Sequence, residues 1–232
     1  MKQINSMAAA VSVCGTLGFP SKMPGTSYGT PASACKVGSK LRAVQGSTCA
    51  FCYAYERGNY QYSSVKKSQH RRLESLVHPQ WCEAIAYALN RAHGFIDKRG
   101  RKRNCKPHRK VRSRGWHRWH DSGDLQSVEH LIRIVIVCQV TPHIRHWLPT
   151  RETAIVKAFL DGGGVFPANL CVRVSATKID GEASKILPTT STVHDKRAAQ
   201  GYSCPAPRQG NECGACRACW SNDVANTSYH VH

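Results

Sequence analysis

Seven of the twelve cysteines fall into two groups whose spacing can grip a metal. Cys35, Cys49 and Cys52 form a trio, and Cys204, Cys213, Cys216 and Cys219 form a quartet with two-residue gaps at its end. Two thiolates separated by two residues can reach one metal centre from a single turn of backbone. Thiolates are soft ligands, so three or four together select zinc or an iron–sulfur cluster. A quartet closes a site. A trio leaves one position vacant, which distinguishes a centre that reacts from one that only holds the fold. Zinc at the trio would need a fourth ligand, a histidine or Cys14. A four-iron, four-sulfur cluster there would expose one iron, with Phe51 expected to pack beside it as a shield. The quartet accepts either structural zinc or a second iron–sulfur cluster, and its spacing leaves both open.

The elements that must position these groups follow from periodicity. Trp116–His120 alternates like a strand and runs into Asp121-Ser122-Gly123-Asp124. Ile144–Leu148 reads as a strand leading to Pro149-Thr150-Arg151-Glu152, and Asn169–Ser175 as one ending in Ser175-Ala176-Thr177. Between them lie two helical patterns. One spans Ser127–Val140, with Val128, Leu131, Ile132, Val135 and Ile136 on one side and Pro142 beyond. The other spans Ala154–Leu160 and stops at Asp161 and the glycines 162–164. Upstream, residues 15–48 read as surface loop, and residues 53 to about 77 as a polar helical stretch. Pro79 opens a helix with Trp81, Ile85, Ala88 and Leu89 at helical spacing.

Strand and helix alternating at this tempo predict an α/β fold with a parallel sheet, and the small number of repeats predicts a partial, open (β/α) barrel. Working residues of such sheets gather on loops at the carboxyl ends of the strands. The trio and the three loops are therefore expected on one rim. Residues 1–200 are read as the partial barrel, with the trio and a basic insertion at about 97–114. Residues 201–232 are read as a cysteine-rich, metal-binding extension.

The charge is +19 and unevenly spread. No acid lies between Asp97 and Asp121, while eleven lysines and arginines crowd residues 98–118. A polyanion, nucleic acid included, is the natural partner of such a run, the alternative being a solvated basic loop. Hydrophobic residues at 41% fit an ordered globular chain. No apolar run reaches the roughly 20 residues of a membrane span, and Met7–Val13 is too short for a signal sequence. The chain is read as cytoplasmic. Its metal-like spacings argue against a disulfide scaffold, which leaves Cys14, Cys82, Cys105, Cys138 and Cys171 as ordinary thiols. His117 and His120 are read as satisfied polar histidines on one strand face, and Trp116 and Trp119 as core or edge packing. Asp121 and Asp124 have turn formation as their bland alternative.

The cysteine trio, a strand ending in a Gly-acid pair and a strand ending in serine together resemble the radical S-adenosylmethionine superfamily. That resemblance implies a four-iron, four-sulfur cluster on Cys35, Cys49 and Cys52, whose open iron chelates S-adenosylmethionine before reductive cleavage to a radical. It implies that Ser122, Gly123 and Asp124 meet the methionine end, with Ser175 and Arg151 near the ribose and carboxylate. Thirteen residues separate Cys35 from Cys49, a wider gap than the compact loop of that superfamily. More closely, Ser21–Gly25, Cys49–Ala54, His120–Asp124, Thr150-Arg151 and Cys213–Trp220 resemble the phage gene product eighty-eight family. This places the chain in a phage-infected host cytoplasm and names no substrate. Three expectations follow. The first is an iron–sulfur protein with a radical S-adenosylmethionine-like site, acting on a phosphate-bearing or nucleic-acid substrate. The second is a non-catalytic, zinc-stabilised nucleic-acid-binding protein. The third is a host-factor-binding protein with structural cysteines. Oligomeric state is not legible.

Overall fold

The computed structural model describes residues 3–231. Its frame is one seven-stranded parallel sheet in the order β1-β2-β3-β4-β5-β7-β6. The strands are β1 Thr26–Tyr28, β2 Trp116–Trp119, β3 Arg145–Thr150, β4 Leu170–Ile179, β5 Thr190–His194, β6 Tyr202–Ser203 and β7 Asn226–His230. Strands β1 to β5 lie in chain order. Each connection therefore steps the same way, and no reversal opens a ligand crevice of the doubly wound kind. Seven helices accompany them: α1 Met7–Cys14, α2 Lys36–Leu41, α3 Tyr53–Glu56, α4 Ser63–Ser75, α5 Trp81–Ala92, α6 Val128–Val140 and α7 Thr153–Asp161.

Successive side chains of a strand face opposite ways, which divides this sheet into two unlike surfaces. Tyr28, Trp119, Leu148, Leu170, Val172 and Val174 point to the side covered by α5, α6 and α7 and join the large core. The helix expected after Pro79 buries Trp81, Ile85, Ala88 and Leu89 completely. Helix α6 starts where Ser127 accepts a hydrogen bond from the His130 amide, and Thr141 caps its end just before Pro142. Its buried face differs from expectation. Leu131, Ile134, Val135, Val137 and Cys138 are buried, whereas Ile132 and Ile136 are exposed. The segment is apolar nearly all round, so periodicity alone does not choose a face.

The other surface carries Trp116, Arg118, Trp147, Cys171, Arg173 and Ser175. No helix covers it. The segment leading to β7 does: Cys219 and Trp220 pack on Trp147, with Met23, Trp116 and Tyr229 around them. Trp220 donates its indole N–H to the His117 carbonyl at 2.7 Å. Arg173, fully buried, holds this segment down. Its guanidinium donates to the carbonyls of Cys219, Ala218, Ser221, Val224 and Thr190 at 2.8–3.1 Å. The residues after 200 thus add two strands to the sheet and line its helix-free face.

Two upstream expectations are corrected. Residues 15–48 contain β1 and α2, because the strand is only three residues long and lacks an alternating pattern. The stretch after Cys52 breaks into α3, a short 3₁₀ turn at Gly58–Gln61 and α4. No described helix is long and apolar enough to cross a membrane.

Candidate functional site

The loop after β1 carries the trio and lies across the carboxyl ends of β2, β3 and β4. Cys35 caps the start of α2, and the turn of that helix contains Gly38. A Cβ on Gly38 would sit 3.6 Å from Sγ of both Cys35 and Cys49. The two sulfurs therefore flank the same bare stretch of α2 backbone, where an added methyl would crowd the Cys35 Cβ at 3.0 Å. Thr48, next to Cys49, ties the loop to the end of β4: its amide donates to the Thr177 carbonyl at 2.9 Å. Its hydroxyl accepts from Arg151 Nε at 2.9 Å. Burial pushes the Cys35 thiol up to about 12, with Asp124, Cys52, Cys49 and Glu152 adding to the effect. Burial also raises Cys49, against the pull of Arg151. Cys35 thus lies within electrostatic reach of the other two thiols and of both carboxylates.

The rim beneath is tightly wired. Asp124, buried, accepts from the Thr150 hydroxyl at 2.6 Å, the Arg151 amide at 2.9 Å and the Leu125 amide at 2.8 Å. Burial nevertheless raises its pKa. Ser122 donates to the Thr30 carbonyl at 2.7 Å and accepts from Gln69 at 2.5 Å. Gly123 has a φ of 73°, and a Cβ there would collide with Thr30 Oγ1, so the loops after β1 and β2 interlock. Ser175 pairs with Ser191 across the β4–β5 step at 2.9 Å. Asp124 lies near Cys35 and Arg151 near Cys49 on this rim. The side chains of Asp124, Ser122 and Ser175 each engage protein partners, which gives these three a demonstrable positioning role in the rim.

Glu152 had no expected part. Its Oε1 accepts from the Lys36 and Val37 amides at 3.0 and 2.8 Å, fixing the helix start that presents Cys35. The only sequence signal for it is its place beside Arg151. Phe51 is 74% exposed and shields nothing in this arrangement. The histidines also depart from expectation. Their three-residue spacing cannot place them on one strand face. His117 lies under the helices, where Nδ1 pairs with the Thr26 hydroxyl at 2.8 Å while Nε2 has no partner. His120 follows β2 with a φ of 53°, and both its ring nitrogens are buried without partners. Its Nδ1 is 3.9 Å from Asp124, but burial drives its pKa down to about 3, so it is neutral there.

The quartet gathers around the β6–β7 connection. Cys204 follows β6, the Cys216 sulfur is 3.4 Å from the Tyr202 hydroxyl, and the Cys219 sulfur is 3.1 Å from the Tyr229 hydroxyl. Burial lifts Cys219 to about 12, with Cys204 and Cys213 adding to the rise. Among the described residues, no three His, Cys, Asp or Glu side chains adopt the geometry of a metal site. Neither the trio nor the metal-binding extension expected of residues 201–232 therefore has that geometry in this arrangement, and all twelve thiols are free. The basic insertion leads into the amino end of β2, whereas the trio sits at the carboxyl end of the sheet. Nine of its cations are exposed. Asp97 pairs with Arg101 and Arg103, and Arg112 with Glu212 at 2.7 Å.

A family model described as gene product 88 matches residues 4–222. The chain belongs to that phage family. Both cysteine groups, the Ser-Gly-Asp loop and the basic insertion lie inside the matched span. No curated protein and no solved structure matches the chain.

Proposed function

We propose that this gene product 88 protein carries a three-cysteine iron–sulfur centre on the rim of a partial barrel and works as a radical S-adenosylmethionine-like protein. The observation that carries the reading is that the sulfurs of Cys35 and Cys49 both border Gly38, with Cys52, Asp124 and Arg151 close by. The donor set fits such a centre in chemistry: three soft thiols, the bare backbone of Gly38 and no fourth cysteine beside them. Cys35, Cys49 and Cys52 would hold a four-iron, four-sulfur cluster, which when bound supplies one-electron chemistry on S-adenosylmethionine. Metal uptake would displace protons, since burial keeps Cys35 and Cys49 protonated at neutral pH. The residues around the trio have positioning tasks. Glu152 fixes the helix that presents Cys35. Arg151 braces Thr48, and with it the loop of Cys49. Asp124 locks the loop after β2 to the end of β3, and Ser122, Gly123 and Ser175 complete the cofactor-facing rim. The quartet would hold zinc or a second cluster, with Arg173 anchoring the segment that presents Cys219.

The test is anaerobic reconstitution with iron and sulfide. About four irons per chain at the trio, with visible thiolate-to-iron absorption lost in Cys49→Ala/Cys52→Ala, is the expected result. A colourless protein that retains zinc alone would sink the proposal.

One observation favours a second reading, a nucleic-acid-binding protein without catalysis. The nine exposed cations of the insertion face solvent with only Asp97 and Glu212 as acidic partners, which suits a polyanion. That reading requires zinc at the quartet and binding to DNA or RNA that weakens steeply with salt.

A further inference from the structure

Two arginines on the helix-free face of the sheet have opposite fates. Arg173 donates to five carbonyls and is saturated. Arg118, on the neighbouring part of the same face, is not. Its Nε is buried with no partner. Its other nitrogens reach the Met23 sulfur, a weak acceptor, at 3.5 Å and the His120 carbonyl at 3.5 Å, the latter at the outer limit of a hydrogen bond. Its guanidinium lies 4.5 Å over the Trp147 ring. The acidic groups around it are Tyr53, Asp121, Tyr60 and Tyr229. The one carboxylate among them, Asp121, does not come within ion-pair distance, whereas Asp97, Glu56, Glu129 and Glu212 each hold an arginine elsewhere. Asp121 instead takes the Ser27 hydroxyl on Oδ2 and leaves Oδ1 buried and unpartnered.

A guanidinium drawn out of water needs its five donors met, and leaving several unmet costs kilocalories. Arg173 shows how this fold meets that need where the role is structural. At Arg118 the acceptors are sparse, with Nε unmet, and a cleft opens on the far side of its Met23 contact. Met23, which touches Arg118, also lines an open cleft of about 120 Å³ between the basic insertion and the quartet loop. Lys22, Arg112 and Arg217 flank that cleft, with Cys213 in its wall and Glu212 beside Arg112, to which it is paired. The cleft is roomier than the single-water scale of about 10–15 Å³ and can admit a small group such as a phosphate or carboxylate.

We infer that Arg118 is the anchor for an oxyanion, a phosphate or carboxylate group of a ligand that enters through this cleft onto the helix-free face. The planar fork of the guanidinium suits two parallel hydrogen bonds to such a group. Lys22, Arg112 and Arg217 draw it in, and Trp147 supplies a flat wall beside it. The anchor lies between the trio's rim, through Tyr53 and Asp121, and Cys213 of the quartet. Its place gives the substrate of the proposed radical chemistry an anionic handle, and to that extent it rests on that reading.

Arginine Nε–H resonances of ¹⁵N-labelled protein report the contact directly, with the Arg118 peak assigned by through-bond correlation to its backbone. Inorganic phosphate and malonate are titrated separately at constant ionic strength held with chloride. The Arg118 peak should shift saturably with at least one of them, and Arg118→Lys should weaken that binding about tenfold or more, the loss of a bidentate charge-assisted pair. Arg99→Gln, in the exposed insertion, should leave it unchanged. A peak that moves only linearly with both anions, as those of exposed arginines do, overturns the inference. So does equal affinity in Arg118→Lys. If that variant fails to fold, the wild-type titration decides alone. Saturable binding should also survive in Cys49→Ala/Cys52→Ala. A chain that holds no iron yet retains it leaves the anchor standing while the cluster reading fails. A loaded chain without it does the reverse.

Discussion

At Gly38 two sulfurs border a backbone position that carries only hydrogen. Alanine there would ordinarily strengthen a helix by roughly 0.5–1 kcal/mol. In α2 its methyl would instead press on the Cys35 Cβ at 3.0 Å and lie 3.6 Å from the Cys49 sulfur. Gly38→Ala is expected to keep the fold, by thermal melt and circular dichroism, and to lose at least about half of its iron uptake, a fall that metal analysis reads. Unchanged uptake would show that the bare backbone is irrelevant to ligation. The trio, Asp124 and Arg151 were legible because each belongs to a short motif at the end of a strand. Glu152 and Thr48 were not. Their roles consist of hydrogen bonds to segments about a hundred residues away, which no local pattern encodes. The partnerless nitrogens of His120 were equally hidden, since a residue's failure to find partners depends on what the fold brings near.

At the scale of elements, the helices and strands with strong periodicity were readable: α5, α7, β2 and the starts of β3 and β4. The face of α6 was not, because its apolar residues encircle it. Strands β5 and β7, rich in Thr, Ser and Asn, carry no hydrophobic alternation, and β6 has two residues. Their pairing depends on neighbours instead, such as the 2.8 Å bond from Thr190 to Asn226. The anchoring of the final segment by Arg173 gives a sharp expectation. Arg173→Ala leaves five buried carbonyls without their donor and should cost roughly 3–5 kcal/mol. Limited proteolysis should then cut within residues 204–225 before the helical side opens. Cleavage no faster than in the wild type would remove Arg173 from that role. The N-cap of α6 offers a milder check: Ser127→Ala should cost about 1 kcal/mol in a denaturant titration.

Across the whole molecule, buried histidines tie stability to pH. Burial depresses His93 to about 4 and His120 and His146 to about 3, from an ordinary 6.5. Between pH 6.5 and about 4 the unfolded chain takes up protons that the folded chain refuses. Stability is therefore complete above 6.5 and falls as the pH drops through that window, by roughly 3 kcal/mol for His93 alone. Melting temperatures measured from pH 7.5 to 4.5 should decline steeply below 6.5, and a flat profile would contradict the burial of these rings. The charge distribution adds a second expectation at this scale. Reversing Lys98, Arg99, Lys102 and Lys106 to glutamate should weaken DNA or RNA binding and flatten its dependence on salt in a filter-binding titration. Binding insensitive to both would leave the insertion a solvated loop.

Strand order also dictates a timetable. β6 precedes β7 in the chain but touches the sheet only through it, so a nascent protein must hold its second-last strand idle until the last one arrives to wedge between β5 and β6. Until residues 218–224 emerge Arg173 lacks four of its five carbonyl partners, and until β7 follows the quartet's loop hangs without its tyrosine at position 229. Ribosome-stalled chains lacking that final strand would expose the tryptophan-lined face to chaperones, and completion of the sheet becomes a step of release rather than of early collapse.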